Sequence, residues 1–249
     1  MKLEEAITLL ADRPQATGLF CDFDGTLSPT VDRPDDARAI DGAPDVLARL
    51  ARSFAVVGVI SGRSLSDLQS RLAAPGVVLA GSYGLERSDR PASLDVSDLQ
   101  PVATRAVGAT RDWAGVVVER KQAGVAVHYR LAPDRADDVH RLASDLAREF
   151  SLQVRQGRMV AELTVPGPGK DDALATLVSE HNLDTFLFAG DDVADGDAFV
   201  WARSSGRRCV LVGVRSAEMP DVIERNADVV LEGPEALVGM LGQLLARGA

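Results

Sequence analysis

Gly18-Leu19-Phe20-Cys21-Asp22-Phe23-Asp24-Gly25-Thr26-Leu27 is the stretch that decides the fold. Its apolar first half predicts a buried strand, and two carboxylates, a glycine and a threonine follow at the strand's carboxyl end. Open α/β sheets bind ligands at that end of their strands. Residues i and i+2 of a strand point to the same face, so Asp22 and Asp24 begin side by side. Two like charges so close repel unless they share a cation, and Mg²⁺ prefers carboxylate oxygens.

The composition restricts the class of protein. The chain has 249 residues, 46% of them hydrophobic, which is enough for one large α/β domain or a domain with an insertion. The net charge of −10 argues against nucleic acid or an anionic membrane as the main partner. No apolar stretch is long enough to span a bilayer, and residues 1–5 lack the basic start of a secretory signal. The two cysteines form neither a disulfide framework nor a zinc site. We expect a cytoplasmic protein, and a monomer.

The order of the predicted elements indicates two domains. Strands and helices alternate from residue 18 to about residue 81 and again after residue 170, which predicts a doubly wound parallel sheet. Between these segments, two hairpins alternate with helices, as in a small antiparallel sheet layered with helices. We therefore predict an α/β core formed by 1–95 and 166–249, with a smaller α+β domain inserted at 96–165.

Polar residues follow several of the predicted parallel strands. Ser61 comes after the second strand, Lys170 lies on the first turn of a later helix, and Asp191-Asp192-x-x-Asp195 follows another strand. The carboxyl ends of parallel strands share one edge of a sheet, so these groups are expected around one crevice with Asp22. Asp22, the backbone carbonyl of Asp24 and Asp191 can hold Mg²⁺ there and leave ligand positions for water and a phosphate.

This crevice predicts hydrolysis of a phosphate ester. Asp22 is positioned to attack phosphorus and form an aspartyl-phosphate, while Asp24 protonates the leaving alcohol and then takes a proton from water. The Ser61 hydroxyl and the Lys170 ammonium are expected to hold the phosphoryl oxygens. Further substrate contacts are predicted from the same motifs at Gly25, Thr26, Gly62 and Arg63, although Arg63 could equally form a surface ion pair.

Four motifs resemble those of the haloacid dehalogenase (HAD) superfamily of phosphohydrolases: Asp22-Phe23-Asp24-Gly25-Thr26, Ser61-Gly62-Arg63, Lys170, and Gly190-Asp191-Asp192-x-x-Asp195. Within that superfamily the chain is similar to the trehalose-6-phosphate phosphatases from about Gly18 to its last helix. The resemblance implies a HAD-like Rossmannoid core with a mobile cap, and hydrolysis of trehalose 6-phosphate. It implies Asp22 as nucleophile, Asp24 as acid/base, and Mg²⁺ bound by Asp22, Asp24, Asp191 and Asp195. Asp195 could instead cap a helix.

The predicted strands of the inserted domain alternate with a period of two. One face is apolar, and the other carries Glu119, Lys121, His128, Arg130, Arg158 and Glu162. Paired donors and acceptors suit sugar hydroxyls, and closure of this face over the crevice would exclude water. Half-exposed antiparallel strands are also polar on one face without binding anything. This chain departs from the family pattern at two places. It has Gly81-Ser82-Tyr83-Gly84 where family members often have Gly-x-His-Gly, and Glu119-Arg120-Lys121 where they often have Glu-Asp-Lys. Both departures affect the expected choice of sugar more than the expected reaction.

Several alternatives remain open. The aspartates alone would be compatible with turns and a helix cap, and Lys170 alone with a solvated lysine. The same scaffold would serve a phosphatase for sucrose phosphate, mannosyl-phosphoglycerate or a pseudo-disaccharide phosphate. A phosphotransferase or mutase, or a catalytically silent phosphosugar-binding regulator, are further candidates.

Overall fold

The computed structural model describes residues 1–90, 99–121, 124–157, 159–215 and 219–248. The chain divides into two units, one formed by Met1–Ala92 with Pro168–Ala249 and the other by Ser93–Gly167. The sequence placed the corresponding boundaries at 95/96 and 165/166. The role of the smaller unit as a cap stays a prediction.

The helices and strands follow one another along the chain in three segments. The first segment contains α1 (Leu3–Ala11), β1 (Thr17–Cys21), α2 (Ala43–Leu50), β2 (Val56–Ile60), α3 (Leu65–Arg71), β3 (Val78–Gly81) and β4 (Glu86–Arg87). The second contains α4 (Gln100–Thr110), β5 (Val117–Arg120), β6 (Gly124–His128), α5 (Ala136–Phe150), β7 (Gln153–Gly157) and β8 (Val160–Thr164). The third contains α6 (Lys170–Glu180), β9 (Thr185–Gly190), α7 (Val193–Ser204), β10 (Arg208–Arg215), α8 (Asp221–Asn226), β11 (Val229–Glu232) and α9 (Gly233–Gly248). Among the described residues, none of these helices has both the length and the apolar character needed to cross a membrane.

The larger unit is built on a seven-stranded sheet with the strand order β11-β10-β9-β1-β2-β3-β4. Its neighbouring strands pair in parallel, except that β4 runs antiparallel to β3. The chain leaves β1 toward β2 and β3 on one side, and later toward β9, β10 and β11 on the other. The order therefore reverses at β1, which is where open α/β sheets bind ligands. The predicted doubly wound sheet is confirmed.

Apolar side chains of β1 reach both faces of this sheet. All five residues of β1 are buried. Leu19 and Cys21 lie in an apolar cluster with residues of α1, α2 and α9, while Phe20 lies in a second cluster with residues of α6, α7 and α8. Because helices cover both faces, the loops at the carboxyl ends of the strands are held at fixed positions.

Three elements of the larger unit, α1, α8 and β4, are absent from the sequence-based prediction. Helix α1 precedes the first predicted strand, and β4 is a two-residue strand paired through Ala80↔Arg87 and Gly81↔Glu86. Strand β4 forms because the chain reverses at Ser82–Gly84, a short 3₁₀ turn. The strand predicted at 116–121 is β5, one residue shorter at each end, and β10 extends three residues beyond the strand predicted at 208–212.

The smaller unit contains an antiparallel sheet with the order β5-β6-β8-β7. Its strand residues alternate between two faces, as predicted. One face packs against α4 and α5 through Val118, Val125, Val127, Ala161 and Leu163. On the other face, Glu119 and Glu162 flank Ala126 on the two neighbouring strands. Glu119, His128 and Glu162 therefore lie on one face of this sheet.

Candidate active site

Three adjacent strands deliver the candidate site. Asp22 follows β1, Ser61 follows β2 and Asp191 follows β9, and each is buried, with an exposed fraction of 3% or less. The backbone N–H of Asp22 donates to Ala189 O at 2.8 Å, so the loop begins as a continuation of the sheet. The predicted convergence of these residues at one edge is therefore present.

Lys170 joins the first and the last acidic motifs. It is the first residue of α6, and its ammonium group donates to Asp22 Oδ1 and to Asp195 Oδ1, each at 2.7 Å. Asp192 Oδ1 lies 3.9 Å from the same nitrogen. The Lys170 side chain is 4% exposed, so this ammonium is held among carboxylates away from bulk water.

Three carboxylates meet within the range of a single metal ion. One oxygen each of Asp22, Asp191 and Asp195 lies within 4.8 Å of the others, and all three residues are buried. Carboxylate oxygens are the donors that Mg²⁺ takes in proteins, so this donor set fits the ion. The carboxylate of Asp24 lies outside this group, which leaves its backbone carbonyl as the predicted ligand.

Asp195 also organises the loop before α7. Its Oδ2 accepts the backbone N–H groups of Asp191 and Asp192, both at 3.1 Å. Asp192 Oδ1 in turn accepts the N–H of Asp195 at 3.1 Å, which completes a capping box. Asp192 is therefore the N-cap residue of α7 and Asp195 its N3 partner in the capping box, while Asp195 also contributes an oxygen to the acidic group; the role of Asp195 as a metal ligand stays a prediction.

Gly25 and Thr26 lie against Asp191. A Cβ atom at Gly25 would sit 2.2 Å from Asp191 Oδ2, and the φ of Gly25 is +83°. The Thr26 hydroxyl donates to Asp191 Oδ1 at 3.3 Å. The glycine leaves room for the carboxylate and the threonine orients it, while the predicted contacts of both residues with substrate stay predictions.

Burial and the charges of Lys170 and the aspartates shift the pKa values of the site. Burial, with smaller contributions from the neighbouring aspartates, raises the pKa of Asp22 to about 7, against the lowering effect of Lys170. For Lys170, burial would lower the pKa, but the charges of Asp195 and Asp22 raise it well above its ordinary value. Lys170 therefore stays charged, and a divalent cation would favour the ionised form of Asp22.

Asp24 is held by Arg63. The guanidinium donates Nε to Asp24 Oδ2 and Nη2 to Asp24 Oδ1, each at 2.7 Å, and Nη1 to Asp67 Oδ2 at 2.6 Å. The Arg63 side chain is only 8% exposed. The ion pair that the sequence offered as one reading of Arg63 is present, although it is buried. Contact of Arg63 with substrate stays a prediction.

A strained turn lies beside the Ser61 loop. Ser82 and Tyr83 have φ values of +49° and +60°, a region that non-glycine residues rarely adopt. The N–H of Tyr83 donates to Ser61 O at 2.9 Å, and a Cβ at Gly62 would lie 2.7 Å from the Tyr83 hydroxyl. Sequence reasoning missed this contact. The one sequence signal that could have revealed it is the departure from Gly-x-His-Gly at Gly81-Ser82-Tyr83-Gly84.

The polar face of the smaller unit carries two hydrogen-bonded side-chain pairs. His128 Nε2 lies 2.8 Å from Glu119 Oε2, and Lys121 donates to Glu162. Arg130 follows β6 and is half-buried. The predicted contact at Arg158 lies outside the described residues. Four of the six predicted cap residues therefore pair with one another, which orients them for hydrogen bonding.

A family model supplies the decisive comparison. The model described as trehalose-phosphatase matches residues 20–227, which include the four motifs of the site. The chain belongs to the trehalose-phosphatase family.

Curated relatives of the family cover most of this chain. A trehalose-phosphate phosphatase of Mycobacterium avium is 40% identical over 215 residues, which are 79% of this chain and 54% of that protein. A protein named as an uncharacterised glycosyl hydrolase, from Mycobacterium tuberculosis, is 36% identical over 91% of this chain and 18% of its own length. The chain thus spans about half or less of these relatives.

Solved structures share the fold of this trehalose-phosphatase family chain. The C-terminal domain of a Candida albicans trehalose-6-phosphate phosphatase matches with a TM-score of 0.80 and 23% identity, covering 99% of this chain and 97% of that one. A HAD superfamily phosphatase from Bacteroides thetaiotaomicron matches with a TM-score of 0.61 and 14% identity, covering 92% and 94%. The HAD-like fold expected from the sequence is confirmed.

Proposed function

We propose that this chain hydrolyses trehalose 6-phosphate to trehalose and phosphate in a Mg²⁺-dependent reaction through an aspartyl-phosphate on Asp22. The observation that carries the proposal is the meeting of Asp22, Asp191 and Asp195 beside the Lys170 ammonium. The choice of trehalose 6-phosphate as substrate is supported by the activity that the relatives' names give. Action as a cytoplasmic monomer stays a prediction.

Asp22 acts as the nucleophile in this proposal. One of its oxygens attacks phosphorus while the P–O bond to the sugar breaks, and the phosphoryl group is transferred to the carboxylate. Lys170 holds Asp22 Oδ1 at 2.7 Å, which fixes the carboxylate and places positive charge beside the transferred group. The Ser61 hydroxyl, next to it on the sheet edge, is proposed to donate to a phosphoryl oxygen.

The divalent ion would be held by Asp22, Asp191 and Asp195, together with the backbone carbonyl of Asp24. When bound, Mg²⁺ neutralises phosphate charge that would otherwise repel an attacking carboxylate. Gly25 leaves room for the Asp191 carboxylate because it has no Cβ, and the Thr26 hydroxyl donates to that carboxylate. Both residues therefore keep Asp191 in position to bind the ion.

Asp24 handles the protons of both half-reactions. It gives a proton to the leaving sugar oxygen, and it then takes one from the water that attacks the aspartyl-phosphate. These two roles need the Asp24 carboxylate to face the reacting oxygen in each step. Its side chain is 45% exposed, which leaves it accessible to substrate and water.

The polar face of the smaller unit is proposed to bind the sugar. Lys121 and Glu162 are 11% and 7% exposed in their side chains, and each offers a charged partner to hydroxyl groups. Replacing both residues, as Lys121→Met with Glu162→Gln, removes the pair without leaving one charge unpaired. The double variant should raise KM for trehalose 6-phosphate and leave KM for p-nitrophenyl phosphate unchanged.

A panel of phosphate esters tests the proposed activity. Phosphate release is measured with Mg²⁺ from trehalose 6-phosphate, sucrose phosphate, mannosyl-phosphoglycerate, glucose 6-phosphate and p-nitrophenyl phosphate. The proposal expects the highest kcat/KM for trehalose 6-phosphate, and no turnover by Asp22→Asn. Preference for another sugar phosphate would correct the substrate, and no release from any ester would refute the activity.

A further inference from the structure

The carboxylate of Asp24 is gripped at both of its oxygens. Arg63 donates Nε to one oxygen and Nη2 to the other, at 2.7 Å each. This two-point geometry fixes the plane of the carboxylate as well as its position, which a single hydrogen bond does not do. Because the Asp24 side chain is 45% exposed, packing alone leaves it free to change rotamer. Arg63 therefore sets its orientation.

Arg63 is itself fixed from the side opposite Asp24. Its Nη1 donates to Asp67 Oδ2 at 2.6 Å, and its Nη2 also donates to Pro34 O at 3.0 Å. The guanidinium carbon lies 5.6 Å from the centre of the Phe23 ring. The position of a buried arginine between two carboxylates is set by both of them. Asp67 therefore determines where the Nε and Nη2 groups that donate to Asp24 lie.

Asp67 is held rigidly on α3. Its backbone N–H donates to the hydroxyl of the N-cap residue Ser64 at 3.2 Å. Arg71 Nε donates to both oxygens of the Asp67 carboxylate, at 2.8 Å each. Arg71 also donates to Ala37 O at 2.7 Å, which ties the helix to the loop after β1. Asp67 and Arg71 are four residues apart, the spacing that brings side chains together on a helix.

We propose that Asp67 is a positioning residue for the hydrolysis: together with Arg71 it fixes Arg63, and Arg63 fixes the carboxylate of Asp24 for proton transfer. This inference rests on the proposed function, in which Asp24 is the acid/base. Asp67 makes no contact with the acidic group of Asp22, Asp191 and Asp195 among the contacts of the described residues, so its effect on turnover passes through Asp24.

A double-mutant cycle on kcat tests this inference. Asp67→Asn is made in the wild-type chain and in the Asp24→Asn chain, and hydrolysis of trehalose 6-phosphate, whose sugar leaving group needs the proton that Asp24 supplies, is measured with Mg²⁺. For the two variants that carry Asp24→Asn, the enzyme is kept in excess over substrate so that slow phosphate release can be measured. Misplacing a catalytic group costs up to about 100-fold, so we expect Asp67→Asn to lower kcat about tenfold in the wild-type chain. KM should stay the same.

The second arm of the cycle separates positioning from a general structural effect. With Asp24 already replaced, Asp67→Asn should change kcat less than twofold, because there is no acid/base carboxylate left to orient. Arg71→Lys, a milder change that keeps the charge, should act in the same direction as Asp67→Asn and should also be silent in the Asp24→Asn chain. It replaces Asp67→Asn if that variant does not fold.

The chain offers a matched control. Arg87 is also a buried arginine between two carboxylates, Asp89 and Glu180, with a side chain 4% exposed. Asp89→Asn therefore makes the same chemical change away from the candidate site, and it should leave kcat unchanged in both backgrounds.

Three results would overturn the inference. Equal loss of kcat from Asp67→Asn in both backgrounds would show a structural effect, and no loss in the wild-type chain would show that Asp67 does not position Asp24. A loss from Asp89→Asn as large as that from Asp67→Asn would point to the same conclusion. All three presuppose an active wild-type chain; absence of phosphate release from it would refute the proposed function itself, and this inference with it.

Discussion

Lys170 and Asp22 are joined by a 2.7 Å contact between side chains that are each 4% exposed, although 148 positions separate them in the sequence. The contact exists because β1 lies beside β9 in the sheet and α6 leads into β9. An ammonium buried against a carboxylate is costly to lose, since the remaining charge is left without water or a partner. The same pair therefore matters to folding as well as to the proposed reaction.

Lys170→Met should lower the free energy of unfolding by about 3–5 kcal/mol, the usual effect of breaking a buried ion pair. The measurement is urea unfolding in the presence of a chelator, so that no metal replaces the lost charge. Arg13→Met, which breaks the exposed pair with Asp184, is the control and should cost less than about 1 kcal/mol. Equal losses from the two changes would contradict the buried network.

Gly25→Ala should abolish phosphate release, because its Cβ would meet Asp191 Oδ2 at 2.2 Å. Gly42 provides the comparison: its φ is +84°, close to that of Gly25, but a Cβ there meets nothing within 4 Å. Both alanines carry the backbone cost of the left-handed region, about 1–2 kcal/mol. Gly42→Ala should therefore lower stability and keep activity. Similar activities of the two variants would show that Asp191 does not need this space.

Gly62→Ala should destabilise the turn that carries Tyr83. The new Cβ would lie 2.7 Å from the Tyr83 hydroxyl, and overpacking of this kind costs about 1–3 kcal/mol. Tyr83→Gly removes the ring and also suits the φ of +60°. In urea unfolding, Gly62→Ala should therefore cost much less in the Tyr83→Gly chain than in the wild-type chain. The same cost in both would argue against the contact.

The pair of Arg87 and Glu180 should make stability depend on pH. The hydrogen bond from Arg87 lowers the pKa of Glu180 below its ordinary value, against the effect of burial. Because the pKa of Glu180 is lower in the folded state, the pair stabilises the fold at pH values above the unfolded-state pKa of about 4.3. This stabilisation is lost as the pH falls through the folded-state pKa. At pH 7 the free energy of unfolding should be higher for the wild-type chain than for Glu180→Gln. The difference should be less than about 1 kcal/mol, because the Glu180 side chain is 41% exposed. The difference should vanish in acid; a difference that persists below the folded pKa would contradict the ionic origin.

The sequence predicted the parts of the site that depend on topology. Asp22, Ser61 and Asp191 each follow an apolar strand, and the rule that parallel strands end at one edge is enough to bring them together. The same reasoning placed Lys170 among them, because the helix that it begins precedes the strand leading to Asp191. These predictions needed no knowledge of side-chain rotamers.

Side-chain pairing over long separations could not be read in this way. Whether Arg63 faces the substrate or Asp24 depends on its rotamer and burial, which the strand pattern does not determine. The left-handed φ of Tyr83 likewise follows from the tight reversal between β3 and β4, and tyrosine gives no local signal for that conformation.

The dependence of phosphate release on Mg²⁺ tests the central claim most directly. Phosphate released from trehalose 6-phosphate is followed for the wild-type chain and for Asp191→Asn, first in a chelator and then with Mg²⁺ added stepwise. The account predicts that the chelator abolishes release by the wild-type chain, that Mg²⁺ restores it, and that Asp191→Asn needs far more Mg²⁺ or stays inactive. Release by the wild-type chain that is unchanged in chelator would contradict the account.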